Sequence, residues 1–247
     1  MHATTETTEI SRAHRAGDVP RAFPADLAGE FETHVTVDTD DVDALARRAG
    51  GYGMGLTHIV LARGRTVSQP MLTDRATTTL ARARGRAAEL AAVLRGDGYP
   101  VTRIKIEAAP WHPGVPRTDA AARALGPGLY FEHHLKLVLT GDADLTALAA
   151  EVVGHGAHLS HNARRIRADG RSERFVTQRC HRVGDESAAA ATAALVTALA
   201  GYEIASVERE FVVYDDNGTL DDGWLDGDGD GDGYGRGDGD ADGSGDR

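Results

Sequence analysis

The sequence predicts an α+β fold in which one unit of roughly a hundred residues occurs twice within a chain of 247 residues. Three observations predict it. Short blocks recur in the same order in both halves, both halves run through strand and helix periodicities in the same order, and an apolar fraction of 41% suffices for a core.

The recurrences are specific. Phe31-Glu32-Thr33-His34-Val35 returns as Phe131-Glu132-His133-His134-Leu135. Gly51-Tyr52-Gly53, leading to Leu56-Thr57-His58, returns as Gly154-His155-Gly156, leading to Leu159-Ser160-His161. Val67-Ser68-Gln69 pairs with Val176-Thr177-Gln178, and Gly98-Tyr99 followed by Glu107 pairs with Gly201-Tyr202 followed by Glu210.

Each element has a local reason. Glu30 to Val37 alternates with period two and reads as a strand. Asp38-Thr39-Asp40 offers an N-cap, and Val42, Leu45 and Ala49 share a helical face that Gly50 ends. Leu56 to Leu61 and Thr66 to Met71 are the next strands, with Gly64 turning between them. A helix over Thr77 to Leu94 carries Leu80, Ala83, Ala87, Leu90 and Leu94 on one stripe, and Val101 to Glu107 is the last strand. The second half repeats this as strand Tyr130 to Leu139, helix Leu145 to Val153, strands Leu159 to Ile166 and Arg174 to Cys180, helix Ser187 to Ala200 and strand Ile204 to Tyr214.

A βαββαβ order is that of the ferredoxin-like plait, with both helices on one face of a four-stranded antiparallel sheet and the first and last strands adjacent. The chain is therefore expected to be a tandem duplication of that unit, with two antiparallel sheets packed around a pseudo-twofold cleft. The expected divisions are a disordered segment over 1–27, the first unit over 28–108, a proline-containing linker over 109–128, the second unit over 129–216, and a C-terminal segment over 217–247 ending in a disordered acidic Gly-Asp tail.

Side-chain alternation sorts the polar residues. Phe31, Thr33, Val35 and Val37 form the helix-covered face of the first strand, which leaves Glu32 and His34 on the open face. By the same argument Glu132, His134 and Lys136 take the open face of the second half. Arg103, Lys105 and Glu107 join them from one last strand, and Ser206, Glu208 and Glu210 from the other.

Three readings of this set stay open. In the first, His34, Glu107, His134 and Glu210 ligate one divalent metal, and imidazole with carboxylate suits Fe, Mn, Ni, Co or Zn. Such a metal would polarise a carbonyl or enediolate, or activate water. Ligand placement on first and last strands of paired modules resembles that of the vicinal oxygen chelate enzymes, and the likeness is confined to that placement. In the second reading the cleft is that of a phosphoester or polyphosphate hydrolase using His and Lys/Arg. His34-Val35-Thr36-Val37 is similar to the His-x-Thr-x pattern of two-histidine phosphoesterases, although the second half has Lys136 where that pattern has Thr. Acid- and base-lined strands such as Val207 to Phe211 also resemble those of triphosphate tunnel enzymes. In the third reading the His-Glu pairs are cross-strand contacts of a non-catalytic ligand-binding protein.

Catalytic candidates are His58 and His161, which follow the glycine turns, together with Lys105, Glu32 and Glu132 on the open face. The glycines close a helix and start a strand, so they do not form a nucleotide loop. Gln69 and Gln178 are placed to bond a ligand or each other. Cys180 and His181 point to opposite faces of a strand, which favours a buried structural thiol. Trp111-His112-Pro113 lies in the linker, as a connector or a lid.

Composition bounds the partners. Eight Asp and two Arg from Asp226 to Arg247 give the tail a net −6 of the chain's −11, so the body is only mildly acidic. No basic surface favours duplex nucleic acid. No apolar run approaches a membrane span, the N-terminus lacks the apolar stretch of a signal peptide, and a single cysteine precludes an internal disulfide. A cytoplasmic small-molecule enzyme with a metal-dependent lyase, isomerase or oxygenase-type reaction, or a phosphoesterase, is the expectation.

Overall fold

The computed structural model describes residues 23–165 and 167–224. The readings of 1–22 and of the Gly-Asp tail lie outside the described residues. Eight strands and five α-helices follow in the order β1 (Ala28–Val37), α1 (Val42–Gly51), β2 (Gly55–Leu61), β3 (Ser68–Thr79), α2 (Leu80–Gly96), β4 (Val101–Ala108), α3 (Asp119–Leu125), β5 (Tyr130–Leu139), α4 (Leu145–Val153), β6 (Ala157–Asn162), β7 (Ser172–His181), α5 (Asp185–Ala198) and β8 (Glu203–Asp215).

The helices start where the sequence provides caps. Asp41 accepts from Ala44 N at 2.8 Å, Thr79 from Arg82 N at 3.3 Å, and Asp144 from Thr146 N and Ala147 N at 2.9 and 3.0 Å. Each such cap contributes about 1 kcal/mol. Gly53 and Gly156 both have positive φ (69° and 62°) in the turns that lead from α1 and α4 into the next strand, the duty their repeated spacing implied.

Within each half the strands lie in the order β2-β3-β1-β4 and β6-β7-β5-β8, all antiparallel, as a ferredoxin-like plait requires. The expected pair of facing sheets is not what forms. All eight strands close into one barrel, β1-β3-β2-β6-β7-β5-β8-β4. The reason lies in the edges. A lone plait leaves the outer sides of its second and fourth strands with unpaired N–H and C=O groups. Here β4 pairs with β8 through Lys105 to Ala108, and β2 pairs with β6 through Ile59 to Leu61, so no edge remains between the halves.

The helices pack outside. Leu45, Ala49, Ala83, Ala87, Leu94, Val35 and Ile106 build one apolar cluster, and Leu135, Leu137, Leu148, Val152, Val176, Leu195 and Leu199 the other. Each fully buried large aliphatic side chain adds about 1.5–3 kcal/mol. The polar open faces therefore become the inner wall of the barrel. No helix among the described residues is long and apolar enough to cross a membrane.

Several boundaries differ from expectation. β3 runs to Thr79 rather than stopping at Met71, because Thr73, Thr77, Thr78 and Thr79 are β-branched and Thr79 caps α2. The linker contains α3, capped by Thr118. Phe23, assigned to the disordered N-terminus, is buried against Phe31, His112 and Phe211. After β8 the chain turns back at Gly218–Asp221 and buries Asp221 and Trp224.

Candidate functional site in the barrel lumen

The lumen holds a cavity of about 280 Å³ lined by inward-facing residues of all eight strands and by Asp221 and Trp224. An eight-stranded barrel is wide enough for one small ligand. Its two sides differ. β1, β4, β8 and β5 contribute the carboxylates and histidines together with Lys105, whereas β2, β3, β6 and β7 contribute Thr57, Ile59, Leu61, Met71, Ser160 and Phe175 alongside Gln69, Thr177 and the arginines Arg75 and Arg179. A second, more open depression of about 690 Å³ lies where Glu32, Glu107, Glu208 and Glu210 approach Trp111.

The strand registers bring equivalent residues to equivalent places. Glu32 lies opposite Glu107 and Arg75, and His34 opposite Thr73. Glu132 lies opposite Glu210 and Arg179, and His134 opposite Thr177. Each half thus presents the same five side chains: Glu32, His34, Thr73, Arg75 and Glu107 in one, Glu132, His134, Thr177, Arg179 and Glu210 in the other.

Their contacts match as well. His34 Nδ1 is 3.1 Å from Thr73 Oγ1, and its Nε2 is 2.9 Å from Glu107 Oε2 and 3.8 Å from Glu32 Oε1. His134 Nδ1 is 2.9 Å from Thr177 Oγ1, and its Nε2 is 3.4 Å from Glu132 Oε1 and 3.6 Å from Glu210 Oε2. A carboxylate cannot donate, so in a neutral His34 the Nε2–H donates to Glu107 while the Thr73 hydroxyl donates to Nδ1. Arg75 pairs with Glu32 at 2.7 Å, and Arg179 with Glu132.

The halves diverge opposite the two histidines. Lys105, opposite His34, occupies the place that Glu208 holds opposite His134. Lys105 Nζ lies 2.8 Å from Glu107 Oε1 and 2.5 Å from Glu132 Oε1, so it joins the two halves. Burial opposes its charge, but Glu107 and Glu132 outweigh burial and raise its pKa. Burial alone would raise the carboxyl of Glu107; Lys105 and His34 instead bring it down to about 2. Arg179 and Lys105 likewise overcome burial to hold Glu132 well below the usual range. Glu210 goes the other way. Burial, then Glu107 and Glu32, push its carboxyl well above the usual range.

Donor atoms of Glu107, Glu132 and His134 all lie within 4.8 Å of one another. Of the four expected metal ligands, this cluster contains Glu107 and His134. His34 and Glu210 flank it, bonded to Glu107 and beside His134 respectively. Glu132, expected as a catalytic group, stands in the cluster instead, because E-x-H spacing on one strand puts both side chains on the same face.

Other candidates fall outside the lumen. His58 and His161 alternate with the inward-facing Thr57, Ile59, Ser160 and Asn162, and so project outward; His58 Nε2 is 2.9 Å from Ser68 Oγ. Burial lowers the pKa of both rings, with Arg164 and His161 adding to the effect at His58 and Arg174 at His161. Gln69 and Gln178 are not equivalent. Gln69 faces the lumen and donates to Asp221 Oδ1 at 2.9 Å, whereas Gln178 donates to His155 O at 2.8 Å under α5. The Ser/Thr-Gln likeness was a short coincidence, and pairing aligns Thr73 with Thr177. Burial raises the Cys180 thiol to about 11, as suits a structural group, while His181 stacks on Tyr130. Trp111 is exposed at the rim of the larger depression, and His112 is buried between Phe23 and Phe31.

Sequence reasoning missed the Arg103–Asp221–Arg179 bridge. Asp221 accepts from Arg103 Nη1 at 2.8 Å and from Arg179 Nη2 at 2.7 Å, and Arg103 also holds Asp215. Nothing in the spacing of residues so far apart announces this. Asp221 was hidden in an acidic terminus that looked uniform.

No family model matches the chain, and no curated protein matches it. Among solved structures it is similar to an arginine-to-alanine mutant of chlorite dismutase from Candidatus Nitrospira defluvii, at 11% identity over 75% of this chain and 91% of that one, with a TM-score of 0.24.

Proposed function

We propose that the lumen is the reaction chamber of a small-molecule enzyme that holds one divalent cation at Glu107, Glu132 and His134, with His34 and Glu210 beside it. The observation that carries this reading is the convergence of those three donors within 4.8 Å in a lumen of limited size. Imidazole with carboxylates fits Fe, Mn, Ni, Co or Zn. Thr177, bonded to His134 Nδ1, fixes the ring so that Nε2 faces the cluster, the support a ligating histidine needs.

A cation there supplies Lewis acidity for a carbonyl or enediolate oxygen, or for water. The chain's own residues do the rest. His34 holds a proton at Nε2, donated to Glu107 at the edge of the cluster, and Ile59, Leu61, Met71 and Phe175 give the substrate body an apolar wall. Equivalence of the two five-residue sets supports reading the chain as a duplicated unit. Phosphoester chemistry finds less support, because Arg103, Lys105 and Arg179 are already taken up by carboxylates.

A metal-free, binding-only lumen is the second reading, and Lys105 favours it: its ammonium already sits between Glu107 and Glu132. Metal content of the chain ended after Leu225, which keeps Trp224 and omits the acidic tail, decides between them. Near-stoichiometric metal, lost in Glu107→Gln and His134→Ala and reduced in His34→Ala and Glu210→Gln, supports the enzyme. Absence of metal after reconstitution with each of the five ions sinks it.

A further inference from the structure

Most cations lining the lumen have carboxylate partners. Arg75 pairs with Glu32, Arg103 with Asp215 and Asp221, Lys105 with Glu107 and Glu132, Arg165 with Glu173, and Arg179 with Glu132 and Asp221. Lys136 differs. Among the described residues no carboxylate oxygen lies within 4.0 Å of its Nζ, which rests 5.6 Å from the centre of the Phe175 ring.

The surroundings of Lys136 suit a ligand group. It stands two residues beyond His134 on the same face of β5, about 6.6 Å along the strand. Its partner across β5–β8 is Ser206, whose buried hydroxyl has no hydrogen-bond partner among the described residues. The equivalent pair in the first half is Thr36 and Arg103, and there Arg103 is already filled by the carboxylates of Asp215 and Asp221. One cation of this matched pair of places therefore carries carboxylates from the chain, while the other carries none.

We propose that Lys136 anchors the carboxylate of a small organic acid, with Ser206 as a second donor and the acid's hydrocarbon body over Phe175, Ile59 and Met71. A single ammonium balances one negative charge. Glu208 and Glu210, on the adjacent strand β8, disfavour a dianion such as phosphate, and the apolar side chains of Ile59, Met71 and Phe175 favour a carbon chain. The carboxylate at Lys136 places carbons further along the acid beside His134. This deepens the proposed function and rests on the lumen being a small-molecule site.

Calorimetric titration of the full chain with acetate, butanoate, hexanoate and octanoate, and separately with inorganic phosphate, tests it. Affinity should rise from acetate to hexanoate, with phosphate weaker than hexanoate. Lys136→Met should weaken hexanoate about tenfold or more, and Lys136→Arg should retain most of the affinity. Equal hexanoate binding by Lys136→Met with an unchanged Tm, tighter binding of phosphate, or no heat from any acid overturns the proposal. Metal content of the same variant separates the two ideas. Carboxylate binding without metal in any preparation leaves Lys136 as the anchor while the metal reading fails; metal retained without carboxylate binding does the reverse.

Discussion

Lys105 Nζ lies 2.5 Å from Glu132 Oε1, so a lysine in one half of the chain neutralises a glutamate in the other, deep in the barrel. The same ammonium holds Glu107 Oε1 at 2.8 Å. It therefore occupies the electrostatic position that a divalent cation would take. Removing it leaves two buried carboxylates without their shared counter-charge. Lys105→Met should cost about 3–5 kcal/mol of unfolding free energy. If the cluster binds metal, added divalent cation should restore most of that loss in a thermal melt. A melt unmoved by any of the five ions would identify Lys105 as a structural counter-ion only.

Glu210 has the opposite balance. Burial, then Glu107 and Glu32, raise its carboxyl, so at neutral pH its charge is disfavoured. A carboxyl raised in the folded state contributes stability that is lost as pH climbs from the unfolded value through the folded one. Glu210→Gln mimics the protonated form. The metal-free variant should be as stable as the parent at pH 5 and more stable at pH 8, as read by urea midpoints. A midpoint that falls at pH 8 would show that the Glu210 charge is well compensated.

His133 sets an acid limit on the fold. It is fully buried on the helix side of β5, and among the described residues neither ring nitrogen finds a well-formed hydrogen bond. Burial, then Arg209 and His134, lower its pKa to about 4. The unfolded chain then binds a proton that the folded chain refuses between roughly pH 6.5 and 4, so stability falls as pH drops through that window. The loss amounts to about 3 kcal/mol by pH 4. His133→Leu should flatten this part of the stability–pH curve. An unchanged slope would assign the acid sensitivity to other groups.

Much of the site was legible because strand alternation is a strict rule. The two E-x-H sequences and the two late glutamates point inward as their parity requires, and buried Phe31, Val35, Leu135 and Leu137 confirm the other face. What stayed hidden depends on pairing between distant segments. Thr73 and Arg75 were not seen to match Thr177 and Arg179, because β3 continues past the predicted end and only its register with His34 and Glu32 aligns them. Closure into one barrel was also hidden, since the edge pairings Ile59–Asn162 and Glu107–Val212 carry no local signature. His58 and His161 looked equivalent to a pair of site residues because they repeat, but repetition alone does not choose a face.

Asp221 shows how far such distant pairing reaches into stability. It is 3% exposed, and its carboxylate is shared by Arg103, Arg179 and Gln69, from three different strands. Three residues later the chain buries Trp224, whose indole donates to Leu159 O at 3.1 Å. The turn after β8 thus ties both halves together at one end of the lumen. Asp221→Asn keeps the shape and removes the charge, leaving two buried guanidinium groups partly uncompensated. The expected cost is about 3–5 kcal/mol, or a fall in Tm of roughly 10 °C at about 2–4 °C per kcal/mol for a chain of this size. Ending the chain after Asn217 should destabilise at least as much, whereas ending it after Leu225 should leave Tm unchanged. If the two truncations melt alike, Asp221 and Trp224 are not what holds this end of the barrel shut.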